Sequence, residues 1–71
     1  MGVSYKRLWK LLIDKDMTKG QLRIESGIST RALAKLGRNE SVTTTVLCKI
    51  CRVLNCTIDE IVEVVPDDTD N

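Results

Sequence analysis

Apolar residues recur every three or four positions through most of the chain, which is the spacing of a helix with one buried face. A first helix is predicted from about Ser4 to Lys15. A later helix is predicted to begin between Thr43 and Thr45 and to end near Leu54. The apolar stripe of the first helix consists of Tyr5, Leu8, Trp9, Leu12 and Ile13.

Between these helices, the stretch from Thr18 to Leu36 predicts two short helices that meet at Gly27. Thr18 is expected to cap the first helix, with the side chain of Gln21 reaching back to it. Gly27 can adopt the positive φ that ends this helix, and Ser29 can cap the second. So tight a corner brings the apolar sides of both helices together and leaves one side of the second helix exposed.

Local signals in the rest of the chain predict a loop, a stop and one more short helix. Residues 37–41 lose the apolar periodicity and form the loop. Asn55 is expected to end the later helix by adopting the left-handed backbone conformation. Thr57 and Glu60 predict a capping box for a short fifth helix. The β-branched residues 62–65 favour an extended segment that docks on its own domain or pairs with a partner chain.

The predicted fold class is therefore all-α: a compact five-helix bundle over residues 1–65. A chain of 71 residues has room for one small domain. Residues 1–58 contain all 11 Lys and Arg residues and only four acids, a net charge of +7. Residues 66–71 are expected to form an acidic, disordered tail. A basic body suits a polyanionic partner, although a solvated lysine-rich surface would have the same composition.

Cysteine and histidine usage argues against a disulfide framework and against catalysis. The chain has three cysteines and no histidine, and an odd number of cysteines in a small domain is typical of a reducing compartment such as the cytoplasm. Zinc binding is a weak alternative, since a structural site normally needs four ligands. We expect Cys48, Cys51 and Cys56 to be small packing residues, with no metal or other cofactor. The apolar run 8–13 is too short to span a bilayer, so a soluble intracellular protein is expected.

Six residues of the predicted corner fall into one register that resembles the helix-turn-helix family of phage repressors and Cro proteins. They are Leu22, Gly27, Ile28, Ser29, Leu33 and Leu36. Residues 46–61 resemble the closing segment of that family. The resemblance implies a lambda-repressor-like domain with its helix-turn-helix at the second and third helices. It also implies a regulator of transcription, acting as a repressor by occupying an operator in double-stranded DNA as a homodimer.

The same resemblance implies which residues meet DNA, because the second helix of the motif lies in the major groove. Arg31 could bind guanine O6 and N7 with two hydrogen bonds, and Lys35 could reach the same atoms. The implied base-reading residues are Thr30, Arg31, Ala34 and Lys35. The implied phosphate-binding residues are Thr18, Lys19, Arg38, Asn39, Ser41 and Thr43. Each of these could instead be a capping or solvated residue.

Arg23 and Ile24 are among the residues that depart from what the family pattern and the apolar pattern lead us to expect. Arg23 stands where a small residue usually lets the motif helices approach, so their packing could be wider. Ile24 is expected to project from the surface and to mark a partner surface. A protein-interaction or antitoxin-like module on the same fold is the alternative function, and an enzyme is the least supported.

Overall fold

The computed structural model describes residues 2–66 of the chain, which form four α-helices, one 3₁₀ turn and a two-stranded sheet. Among these residues, no helix is long and apolar enough to cross a bilayer. The predicted acidic tail lies outside the described residues except for Pro66. The elements are β1 (Gly2–Ser4), α1 (Lys6–Asp14), α2 (Lys19–Ser26), α3 (Thr30–Gly37), α4 (Thr44–Leu54), the 3₁₀ turn (Ile58–Glu60) and β2 (Glu63–Val65).

The corner between α2 and α3 has the caps that the sequence predicts. The Gln21 N–H donates to Thr18 Oγ1 at 3.1 Å, and the Thr18 N–H donates to Gln21 Oε1 at 2.8 Å, which completes the capping box. Gly27 ends α2 with φ 76°. Ser29 caps α3 by accepting from the Ala32 N–H at 3.0 Å. These local bonds set the two helix ends three residues apart.

The predicted fifth helix is wrong, and the five-helix count falls to four α-helices within residues 2–66. Asn55 ends α4 in the left-handed conformation as predicted, with φ 54°. The predicted capping box does not form: the Glu60 N–H donates to the Thr57 carbonyl oxygen at 3.1 Å rather than to its side chain, and the Thr57 hydroxyl donates to Asp59 Oδ1 at 2.5 Å. Only a single 3₁₀ turn forms before the chain extends.

The two termini of the domain pair as an antiparallel sheet, which the sequence predicted in part. The register joins Gly2 to Val65, Val3 to Val64 and Ser4 to Glu63. The β-branched segment 62–65 therefore contributes β2 and docks on its own domain. The first helix begins at Lys6 rather than Ser4, because residues 2–4 are the partner strand. The fold is mainly helical with this short sheet added.

The core is a single cluster to which every α-helix contributes. Its fully buried members are aliphatic apart from Tyr5, as expected for a chain with one Trp and no Phe. The prediction that Ile13 belongs to the buried apolar stripe of the first helix is wrong, since Ile13 is 74% exposed. Trp9 is half-buried at the edge of the core. The core residues are Tyr5, Leu8, Leu12, Leu22, Ile28, Ala32, Leu36, Ile50, Leu54 and Ile61.

Candidate nucleic-acid interface

The exposed side of α3 presents all four residues expected to read bases. Ala32 and Leu36 face the core, and the residues on the opposite arc of the helix face outward. Three of the four are exposed, and the Lys35 side chain is half-buried. The four are Thr30, Arg31, Ala34 and Lys35. A helix surface with two cations and small side chains between them has the width and charge to enter a major groove.

The carboxylate of Glu40 lies beside this cationic surface and reduces its charge. Arg38 Nε donates to Glu40 Oε2 at 2.7 Å, in an ion pair whose side chains are 61% and 47% exposed. The hydrogen bond from Arg38 is the largest cause that lowers the pKa of the Glu40 carboxyl, and the charge of Lys35 adds to it. Glu40 therefore stays ionised, and Arg38 must leave or share this partner to bind a phosphate.

The start of α2 places two of the expected phosphate-binding residues at the surface. Thr18 and Lys19 are both exposed. The Thr18 oxygen accepts the capping bond, and its hydroxyl hydrogen can donate to a phosphate oxygen. The Lys19 ammonium lies over the Trp9 ring, 4.3 Å from the ring centroid. This cation–π contact holds the Lys19 charge close to α1.

The connection between α3 and α4 contains the other expected phosphate-binding residues, and the structure gives each a different neighbourhood. Arg38 pairs with Glu40. Asn39 is left-handed, with φ 56°, and its Oδ1 accepts from the Tyr5 N–H at 3.1 Å. Ser41 is exposed. Thr43 caps α4 by accepting from the Val46 N–H at 3.3 Å. Their roles toward DNA stay predictions.

Tyr5 fastens the start of α1 to this connection through two hydrogen bonds. Its N–H donates to the Asn39 side chain, and its buried hydroxyl donates to the Glu40 carbonyl oxygen at 2.7 Å. Burial raises the pKa of this phenol, which keeps it protonated and able to donate. The first turn of α1 is thereby held next to the end of α3.

The sequence did not predict that α1 would share a cleft with the end of α3. An open cleft of about 390 Å³ separates the first turn of α1 from the end of α3. It is lined by Ser4, Lys6, Trp9, Gly37 and Asn39. One signal in the sequence could have indicated this cleft: Trp9, whose indole N–H needs a hydrogen-bond partner, lies three residues after Lys6. The apolar pattern instead assigned Trp9 to the core.

The two departures noted in the sequence have different outcomes. Arg23 is half-buried in α2, so the bulk that replaces a small residue lies partly within the packed surface. Ile24 is 69% exposed, as predicted. A partner for Ile24 stays a prediction.

The three cysteines line an open groove at the end of α4, on residues that the DNA prediction does not use. Cys51 and Cys56 are half-buried and pack against the core, as predicted, whereas Cys48 is exposed. Burial is the main cause that raises the pKa of the Cys51 thiol, to about 11. Burial also raises the pKa of Cys56. Within residues 2–66, no group of His, Cys, Asp and Glu side chains is arranged to hold a metal ion.

The thiols are expected to differ in reactivity with an aromatic disulfide reagent at mildly alkaline pH. Cys48 should react fast because it is exposed, and Cys51 slowly because few of its thiols ionise. The progress curve of the native protein should therefore contain a fast phase that Cys48→Ser removes. Denatured protein, in which all three thiols react alike, is the control. A fast phase that persists in Cys48→Ser would contradict the structure.

The chain is similar to known DNA-binding proteins. A family model described as the Cro/C1-type HTH DNA-binding domain matches residues 7–67. Among solved structures, the chain is similar to one described as "Crystal structure of transcriptional regulator VanUg, Form II". The identity is 55%, the TM-score is 0.90, and the match covers 93% of this chain and 88% of that chain. No curated protein matches at the significance required. The family match includes α2, α3 and α4, and the predicted resemblance is confirmed.

Proposed function

Because the chain belongs to the Cro/C1-type helix-turn-helix DNA-binding domain family, we propose that it is a sequence-specific transcriptional repressor that occupies an operator in double-stranded DNA. The observation that supports this best is the exposed face of α3, which holds Arg31 and Lys35 opposite a fully packed inner face. The family is one of DNA-binding regulators rather than enzymes. The odd number of cysteines supports action in a reducing compartment such as the cytoplasm.

In this proposal α3 lies in the major groove, with its amino end towards the bases. Arg31 donates two hydrogen bonds to guanine O6 and N7, and Lys35 donates to an acceptor one helical turn further on. The methyl groups of Thr30 and Ala34 contact a thymine methyl. These four side chains supply the sequence preference, since contacts to phosphates are the same on every sequence.

Phosphate contacts outside the base-reading face of α3 supply most of the affinity. They come from Thr18 and Lys19 at the start of α2 and from Asn39, Ser41 and Thr43 in the connection between α3 and α4. Arg38 joins them by exchanging the Glu40 carboxylate for a phosphate oxygen, which is possible because their ion pair is largely exposed. Exposed ion pairs contribute only about 0–1 kcal/mol, so a duplex phosphate can compete for the guanidinium.

Two copies of the chain are proposed to bind one operator. A single α3 contacts too few base pairs to select one site in a genome, and paired motifs of this kind bind half-sites about 34 Å apart. Residues 63–65 of the β-branched segment are paired with β1 within the chain. Exposed apolar side chains that could serve the pairing include Ile24 and Val64, which are 69% and 60% exposed.

Selection of duplexes from a random DNA pool tests this proposal. We expect enrichment of an inverted repeat whose half-site centres lie about 10 base pairs apart. Sedimentation of the protein on the enriched duplex should show two copies. Affinity should fall steeply with salt, because bound phosphates release counterions. A pool without an enriched sequence would overturn the proposal, and a monomer on a site without a repeat would overturn the dimer.

A further inference from the structure

We propose that the cleft between the first turn of α1 and the end of α3 binds one phosphate of the DNA duplex. The ligands are the Lys6 ammonium, the Trp9 indole N–H and the amide NH₂ of Asn39, all from residues that line the cleft. This inference rests on the proposed DNA-binding function and adds α1 to the interface. Lys6 and Trp9 have not been assigned any part in it so far.

The fold presets the orientation of the Asn39 amide. Its oxygen accepts the Tyr5 N–H at 3.1 Å, on the side facing α1. The two hydrogens on the amide nitrogen are then free to donate to a ligand. The left-handed backbone of Asn39 places this side chain at the rim of the cleft. An acceptor such as a phosphate oxygen fits this rim.

Lys6 and Trp9 lie three residues apart in α1, so their side chains share one face of the helix. Lys6 is exposed and Trp9 is half-buried, which leaves the lysine charge in solvent with an indole beside it. The Trp9 ring also holds the Lys19 ammonium, at 4.3 Å from the ring centroid. Two positive charges from two different helices therefore flank one tryptophan.

The remaining lining of the cleft is neutral and leaves space for a ligand. Ser4 and Gly37 complete it, and none of the five lining residues is acidic. A Cβ placed on Gly37 would meet nothing within 4 Å, so the end of α3 leaves this side of the cleft open. The neighbouring acid, Glu40, is not part of the lining. The cleft thus presents positive charge and hydrogen-bond donors to an anion on the flank of α3.

A scan of neutral methylphosphonates along the selected duplex tests the assignment to a particular phosphate. The wild-type protein should lose affinity at each phosphate that it contacts. Lys6→Ala should become insensitive at one phosphate in each half-site and keep the wild-type response elsewhere. Its affinity should fall roughly five- to tenfold at about 0.1 M salt, and the salt slope by about 0.9 per bound copy.

Lys15→Ala is the matched control, since Lys15 is an exposed lysine just after α1, outside the cleft. It should keep the complete pattern of methylphosphonate sensitivity. If Lys6→Ala also keeps that pattern, the cleft does not bind a phosphate. The proposed function would still be supported in that case if the wild-type protein binds the selected duplex and if replacing Arg31 and Lys35 lowers its affinity as expected. Failure of wild-type protein to select any duplex would overturn both.

Trp9 gives an independent measurement because it is the single tryptophan of the chain. Saturation with the selected duplex should shift its fluorescence and reduce its quenching by acrylamide at least twofold, since a bound backbone covers the ring. Trp9→Phe, which keeps a ring over which Lys19 can lie but removes the indole N–H, should lower affinity several-fold with unchanged far-UV circular dichroism. Emission and quenching that do not change at saturating DNA would overturn the proposal.

Discussion

Replacing Arg31 with alanine is expected to lower affinity for the selected duplex by roughly 10- to 100-fold, because a bidentate contact to guanine contributes about 1–3 kcal/mol of discrimination. Replacing Lys35 as well should reduce the preference for that duplex over random DNA towards one. Arg31 is exposed on α3 and lies outside the core, so folding should not change. Fluorescence anisotropy with selected and random duplexes at fixed salt measures both effects.

Arg52→Ala is the matched control for this experiment. Arg52 is an exposed arginine on α4 that lines the cysteine groove. Its loss removes the same charge and should change affinity for selected and random duplexes by similar small factors. Equal losses for Arg31→Ala and Arg52→Ala, with the preference for the selected duplex intact, would mean that α3 does not read the bases.

Ile50→Ala is expected to destabilise the domain by about 2–5 kcal/mol, the usual cost of removing a buried branched side chain and leaving a cavity. Ile50 is 0% exposed in α4, which packs against α2. A domain of this size has a total stability of roughly 4–10 kcal/mol, so a large share is lost. Urea unfolding followed by far-UV circular dichroism should show a lower midpoint. DNA binding should weaken with it wherever the unfolded fraction becomes appreciable.

Ile13→Ala removes the same atoms from a residue that is 74% exposed. The structure predicts a change within about 0.5 kcal/mol, as for most surface substitutions. The helical pattern alone places Ile13 in the buried stripe and predicts a loss close to that of Ile50→Ala. Similar losses for the two variants would show that the end of α1 is packed, and would contradict the structure.

The helix ends could be predicted from sequence because each depends on a few neighbouring residues. Thr18 with Gln21, Gly27, Ser29 and Asn55 all act within one turn of their own helix, and all adopt the predicted geometry. The failure at Thr57 has the same local origin. The Glu60 N–H bonds the Thr57 carbonyl oxygen within a single 3₁₀ turn, and the sequence does not show that this turn would form in place of a capped helix.

The exposed face of α3 could also be predicted, since burial of Ala32 and Leu36 leaves only one arc for the remaining side chains. The contacts that surround this face could not be predicted from the sequence. The Arg38 and Glu40 pair and the Tyr5 bond to Asn39 depend on how the α3–α4 connection folds back. Hydrophobic periodicity contains no information about such contacts.

The sequence by itself determined the four α-helices, the caps at Thr18, Gly27, Ser29 and Asn55, the register of the two-helix corner and the family to which the chain belongs. These follow from short-range hydrogen bonding and from helical spacing of apolar residues. Only the tertiary structure decided that the termini pair as β1 and β2, that Ile13 is exposed, and that α1 brings Lys6 and Trp9 beside Asn39. The physical reason is that the sheet and the cleft join residues more than 25 positions apart. The exposure of Ile13 depends on how far along α1 the contact with the other helices extends. Their free energies arise only when the whole chain has packed.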